Sequence, residues 1–234
     1  VVESLAAPHS WLSSALKRVS AVDGKELHWP TLVSEKLFTY EAYYEAERAL
    51  RERRATMNLD DPEDGYSHFT LGACGCALSH RKAWQALQDS TAKWALIFED
   101  DVVRIFEDFE AELDTVLGRL PEGWLVCYLG FHTPQGASKK MLGAGEHVEG
   151  PFRMPTEGGW VAGLWCYLIS RAGVDKMLRE VVPFKAQVDA HMGIVAVESG
   201  QCFCLQPGQF LAFSRPTEVS MDTDIQTFPK DMRA

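Results

Sequence analysis

The chain has 234 residues, 46% of them hydrophobic and seven of them tryptophan, enough to bury one full core, so a single domain is expected over residues 1–234, with 207–234 as a C-terminal wrapping tail. A net charge of −10 and the absence of any dense run of Lys and Arg exclude a nucleic-acid surface, although a polyphosphate can still be held locally through a metal and backbone groups. No apolar stretch approaches the roughly 20 residues of a membrane span and no signal-peptide pattern is present, so a cytoplasmic location is expected, or a secretory lumen where a signal precedes Val1.

In chain order, helical and strand patterns alternate, which predicts a layered α/β fold. Residues 34–54 carry Leu37, Tyr40, Tyr43, Tyr44 and Leu50 at helical spacing, and the short basic group Arg51, Arg53 and Arg54 near its end reads as a solvated face. A polar turn follows from Asn58 to Gly65. Gly75 to Gln88 reads as a helix with Ala77, Leu78, Trp84 and Leu87 on its apolar side. Trp94 to Val102 is an apolar run that stops in Glu99, Asp100 and Asp101. It predicts a buried parallel strand with its acids at the carboxyl end, where open α/β sheets place ligands.

A helix beginning near Ile105 carries Phe106, Phe109, Leu113, Val116, Leu117 and Leu120 and closes at Pro121. Strands are expected at Trp124–Gly130, Leu164–Ile169 and Cys202–Leu205, and helices from Ser170 through Leu178 and from Val188 to Val197. Residues 131–159, rich in Gly, Pro and small polar residues, form the candidate acceptor-side loop. Cys74 and Cys76, like Cys202 and Cys204, are separated by one residue, whereas paired zinc cysteines are usually separated by roughly two to four, so neither pair reads as a structural zinc site.

The acidic triplet is the strongest chemical signal. Three adjacent carboxylates repel one another, and a hard divalent cation bridging to a phosphate would relieve that repulsion while creating a site for a nucleotide diphosphate. In a regular strand Glu99 and Asp101 would point to one side and Asp100 to the other. The competing reading makes Asp101 the cap of the helix that follows. A phosphohydrolase built on the same acids would need a second cluster of His and Asp ligands, which the sequence does not offer.

Several segments, in order, resemble glycosyltransferase family 25, which includes lipooligosaccharide and collagen galactosyltransferases. They are Ala21-Val22-Asp23-Gly24-Lys25-Glu26-Leu27, then Leu71 to His80 with Trp84, and then Glu99-Asp100-Asp101-Val102. Tyr128-Leu129-Gly130, Tyr167-Leu168-Ile169-Ser170 with Gly173, Val188-Asp189, and Ser220 with Asp224-Ile225 follow. Two positions depart from the family pattern: Ala73 stands where an acid is usual, and nothing before Ala21 reproduces the usual opening phrase rich in arginine.

The resemblance implies a GT-A-type fold with a mixed, mostly parallel sheet flanked by helices. It also implies a metal-assisted, inverting transfer of a hexose, galactose by expectation, from a UDP-sugar to a hydroxyl of a glycan or protein. The implied metal, Mn2+ or Mg2+, falls to Glu99 and Asp101, and Asp100 is expected on the sugar or ribose. Gly75, Ser79 and His80 would orient the donor, and Asp189 would be the base that takes the acceptor proton. Glu157 is the reserve base, and a helix cap is the structural alternative for Asp189. The alternative for the whole chain, which the two departures favour and the intact triplet opposes, is a catalytically inactive binding or scaffold module.

Overall fold

The computed structural model describes residues 2–56, 69–132, 150–155 and 162–214. The apolar runs expected as strands meet in one five-stranded sheet, made of β1 (Trp94–Phe98), β3 (Val126–His132), β4 (Phe152–Arg153), β5 (Ala162–Ser170) and β6 (Cys202–Cys204), in the order β1-β5-β3-β6-β4. β2 (Val102–Ile105) and β7 (Ala212–Ser214) pair separately as an antiparallel ribbon.

The expectation of a mostly parallel sheet is corrected. Among the described residues β3 pairs parallel with β6, whereas β1 with β5, β5 with β3 and β6 with β4 are antiparallel. The long β5 inserts between β1 and β3 in the opposite direction, so the strands it separates run the same way without touching. An apolar run reports burial, and burial carries no information on strand direction. β1 is also an edge strand whose five residues are all half-buried, not a central buried one. The carboxyl ends of β1, β3 and β6 and the amino end of β5 consequently lie at one edge of the sheet.

Among the described residues up to 34 stand the α-helices α1 (Val2–Ala6), α2 (Ser10–Ala15) and α3 (Trp29–Ser34), with a 3-10 turn at Gly24–Glu26, followed by α4 (Tyr40–Thr56). Leu37, expected inside a helix, lies instead in a link whose Leu37 and Thr39 exchange backbone hydrogen bonds with Phe184. α5 (Leu71–Gln88) starts four residues earlier than its apolar pattern suggests, because Thr70 Oγ1 accepts from Ala73 N at 3.1 Å and so caps it. Residues 102–105, expected at the approach to a helix, are taken by β7, and α6 runs over Phe109–Arg119.

Ser170 closes β5 and caps α7 (Arg171–Glu180), its hydroxyl accepting from Gly173 N and donating to Trp124 O. The Arg171 guanidinium, at the start of α7, donates to Leu87 O, Gln88 O, Ser90 O and Ala92 O, gathering the last carbonyls of α5 and those of the turn that follows it. α7 and α8 (Val188–Glu198) pack on β5, and α5 packs on both of them and on β1. Trp84, Tyr128, Tyr167, Phe38, Phe109 and Phe184 are the largest fully buried side chains. No helix among the described residues is long and apolar enough to cross a membrane.

Candidate active site

The acids leave the sheet in a turn. β1 ends at Phe98, Glu99 keeps one ladder bond through its N–H to Trp165 O at 3.1 Å, and Asp100 and Asp101 form the turn into β2. The strand alternation expected to place Glu99 and Asp101 on one side therefore does not govern them, because only Glu99 retains strand pairing. The Asp101 carboxylate accepts from Ser214 Oγ at 2.8 Å, so β7 steadies the turn. Asp101 is exposed as a residue, but partial desolvation of its carboxyl, then the charges of Glu99 and Asp100, hold it above its ordinary value, against the lowering effect of the Ser214 hydroxyl. Asp101 is not the cap expected by the competing reading: α6 begins at Phe109, with Asp108 at the capping position.

Behind Glu99 stands a buried relay. Trp84 Nε1 donates to Tyr167 Oη at 3.0 Å, Tyr167 Oη meets His80 Nδ1 at 2.9 Å, and His80 Nε2 meets Glu99 Oε1 at 2.9 Å. An indole N–H can only donate, so Tyr167 accepts from it and keeps its own proton for His80 Nδ1. The arrangement that satisfies every member is a neutral His80 with its proton on Nε2, donated to the Glu99 carboxylate. His80 is 5% exposed. It therefore orients Glu99 from behind, and a bond from it to a nucleotide would require giving up one of these two partners.

Cys76, one helical turn before His80, points to the same place: its Sγ, a His80 ring nitrogen and a Glu99 oxygen all lie within 4.8 Å of one another. Burial, followed by the charges of Glu99, Asp189, Asp101 and Asp100, pushes the Cys76 thiol well above its ordinary value. α5, which carries Cys76, also packs against α8, the helix that carries Asp189.

Asp189 lies in the first turn of α8, where Gln187 is the capping residue. Its Oδ2 accepts from Gly163 N at 2.9 Å and its Oδ1 from Ala190 N at 2.7 Å, so it ties the start of α8 to the start of β5. Gly163 has φ +73, a conformation that suits glycine. Ser79 and Gly75 hold α5 against the preceding loop. Ser79 Oγ donates to Gly75 O at 2.7 Å and accepts from Val22 N at 2.9 Å. A Cβ on Gly75 would stand 2.6 Å from Val22 O.

Glu157, most of the 131–159 loop, and Ser220, Asp224 and Ile225 lie outside the described residues. Tyr167, Trp84 and Ser214 carry contacts that the sequence did not single out as parts of a site. Cys76 and His80 were visible as a four-residue spacing on one helix, but nothing in the sequence links them to a strand nearly ninety residues away.

The sheet ends at an edge carrying Glu99, Asp100 and Asp101, backed by α5, and the elements from α2 to the first turn of α8 that build this edge fall in a region shared with a known transferase family. Residues 10–192 match the family described as glycosyltransferase family 25 (LPS biosynthesis protein). The chain belongs to glycosyltransferase family 25 and is a glycosyltransferase, an enzyme with a sugar donor and an acceptor. No curated protein matched the chain.

Proposed function

We propose that this glycosyltransferase has a GT-A-type fold and transfers a hexose, galactose, from a UDP-sugar to a hydroxyl of a lipopolysaccharide-type glycan, with inversion and with the help of Mn2+ or Mg2+. The observation that carries this reading is the acid turn, where three consecutive carboxylates leave the end of β1, with Glu99 fixed by His80 and Asp101 by Ser214. Such a site favours a cation. Its donors are hard oxygens, which suit Mn2+ or Mg2+. Glu99, with Oε1 engaged by His80, and Asp101, with Oδ2 engaged by Ser214, each retain a second carboxylate oxygen for the ion.

The metal would supply positive charge as the nucleoside diphosphate leaves. His80 holds the Glu99 carboxylate in place, and Asp100, exposed in the turn, is the acid available to sugar or ribose hydroxyls. Asp189 takes the acceptor proton as the hydroxyl attacks the anomeric carbon. The backbone groups at Gly163 and Ala190 fix its carboxylate.

Titration calorimetry with UDP and Mn2+ tests the reading. Wild type should bind UDP in a manganese-dependent way, and Asp101→Asn, which removes one charged oxygen ligand, should lose that dependence while keeping its fold. Retained manganese-dependent binding and turnover in Asp101→Asn would defeat the assignment.

A further inference from the structure

The carboxylates of the acid turn suit a hard ion, but the thiol and imidazole beside them have a different preference. We propose that Cys76, His80 and Glu99 form a site for a thiophilic divalent cation of the zinc type, with one coordination position left open. Cys76 and His80 are four residues apart on α5, the spacing that stacks two side chains on one helix face. Glu99 enters from the end of β1, and the three ligand atoms lie within 4.8 Å of one another. Ligands of a tetrahedral zinc ion, bound at about 2.0–2.3 Å, stand about 3–4 Å apart, so an ion can take all three with small side-chain shifts.

Ligand softness decides the ion. A thiolate with an imidazole selects zinc-like ions over Mn2+ and Mg2+. A thiolate and a carboxylate together neutralise a dication.

The surroundings also provide for the imidazole. Without an ion the His80 proton lies on Nε2 and Tyr167 donates to Nδ1. With an ion on Nε2 that proton moves to Nδ1 and Tyr167 Oη, 2.9 Å away, accepts it alongside the Trp84 indole N–H, the tyrosine's own hydrogen turning away from His80 and giving up its acceptor there. The thiol proton leaves to solvent as the Cys76 sulfur bonds to the ion. Glu99 is common to this site and to the manganese site proposed above. A zinc-type ion should therefore inhibit manganese-supported transfer, a consequence that rests on that earlier reading.

The test uses the tag-free full chain loaded with Co2+ or Zn2+. The expected results are one ion per chain, a near-ultraviolet thiolate-to-cobalt charge-transfer band with tetrahedral visible bands, and displacement of cobalt by zinc. X-ray absorption on the zinc-loaded wild type should show one sulfur at about 2.3 Å with nitrogen and oxygen completing the shell. Cys76→Ser, checked for folding by circular dichroism, should lose the band and weaken zinc binding at least tenfold. A first shell without sulfur in the wild type overturns the proposal, whether or not the variant folds, as does a charge-transfer band that survives Cys76→Ser. Inhibition by zinc is read separately. If the spectra show the site and zinc does not inhibit, the soft site stands and the assignment of Glu99 to manganese fails.

Discussion

At the scale of a single residue, the Asp101 carboxyl sits where its charged form is disfavoured. It is held above the ordinary value by partial desolvation and by Glu99 and Asp100, so the folded chain binds this proton more tightly than the unfolded chain does. The sign follows from linkage: its contribution to stability is fully present below the ordinary carboxylate range and is lost as pH rises through the raised folded value. In metal-free protein at neutral pH, Asp101→Asn should therefore be more stable than wild type, because the neutral amide can still accept from Ser214 and no longer repels Glu99. Urea unfolding at neutral pH and again at about pH 3 checks this, since the advantage should shrink to nothing at the acid end. Equal stabilities at both pH values would show that the neighbouring charges do not act on Asp101. The partly solvated position keeps the expected effect small.

At the scale of elements, glycines and carboxylates fix how helices meet their neighbours. A methyl at Gly75 would meet Val22 O at 2.6 Å and Gly24 N at 3.0 Å, both backbone atoms that cannot rotate away. Gly75→Ala should cost about 1–3 kcal/mol in chemical denaturation, the usual range for overpacking, and push α5 off the loop that Ser79 grips. A neutral result would mean that the loop yields freely. Asp189 makes the corresponding join between α8 and β5. Asparagine has one acceptor oxygen where Asp189 uses two, so Asp189→Asn should lose one backbone contact as well as the proposed base. Turnover is expected to fall about a hundredfold with donor affinity near wild type, and single-turnover kinetics alongside calorimetry separate the two. Unchanged turnover moves the role to Glu157. Much of this level is legible in the sequence: continuous apolar runs mark β3, β5 and β6 as strands buried on both faces, and spaced apolar residues mark α5 and α7, whereas the apolar residues of α8 are spread around the helix with no clear pattern. β2, β7 and the helices before Ser34 are too short to show one, and β2 and β7 exist only because each pairs with the other across more than a hundred residues. The acids of the site are likewise legible as a run, whereas Tyr167 is not, since its hydroxyl matters only through the side chains that folding brings to it.

For the whole molecule, the connections around the acid turn decide what a ligand there can do. Just after the turn, β2 pairs with β7, with Arg104 over the Phe213 ring at 3.9 Å, and α1 packs against the same strand. Glu110 of α6 accepts from Trp11 N at 2.7 Å and Leu12 N at 3.1 Å, so α2 is held by the next element in the chain. Segments from both ends of the described chain thus close over the stretch that begins at Asp101, and local opening of the turn disturbs all of them. Manganese with UDP should accordingly stabilise the domain as a unit. At a ligand concentration about one hundred times Kd the gain is about 2.7 kcal/mol, which for a chain of this size corresponds to a rise in Tm on the order of 5–10 °C. Scanning calorimetry should show that rise in one cooperative transition in wild type, with most of it absent in Asp101→Asn. Stabilisation confined to a minor transition, or undiminished in Asp101→Asn, would mean that the ligand binds away from the turn and that the elements closing over it do not share its energy.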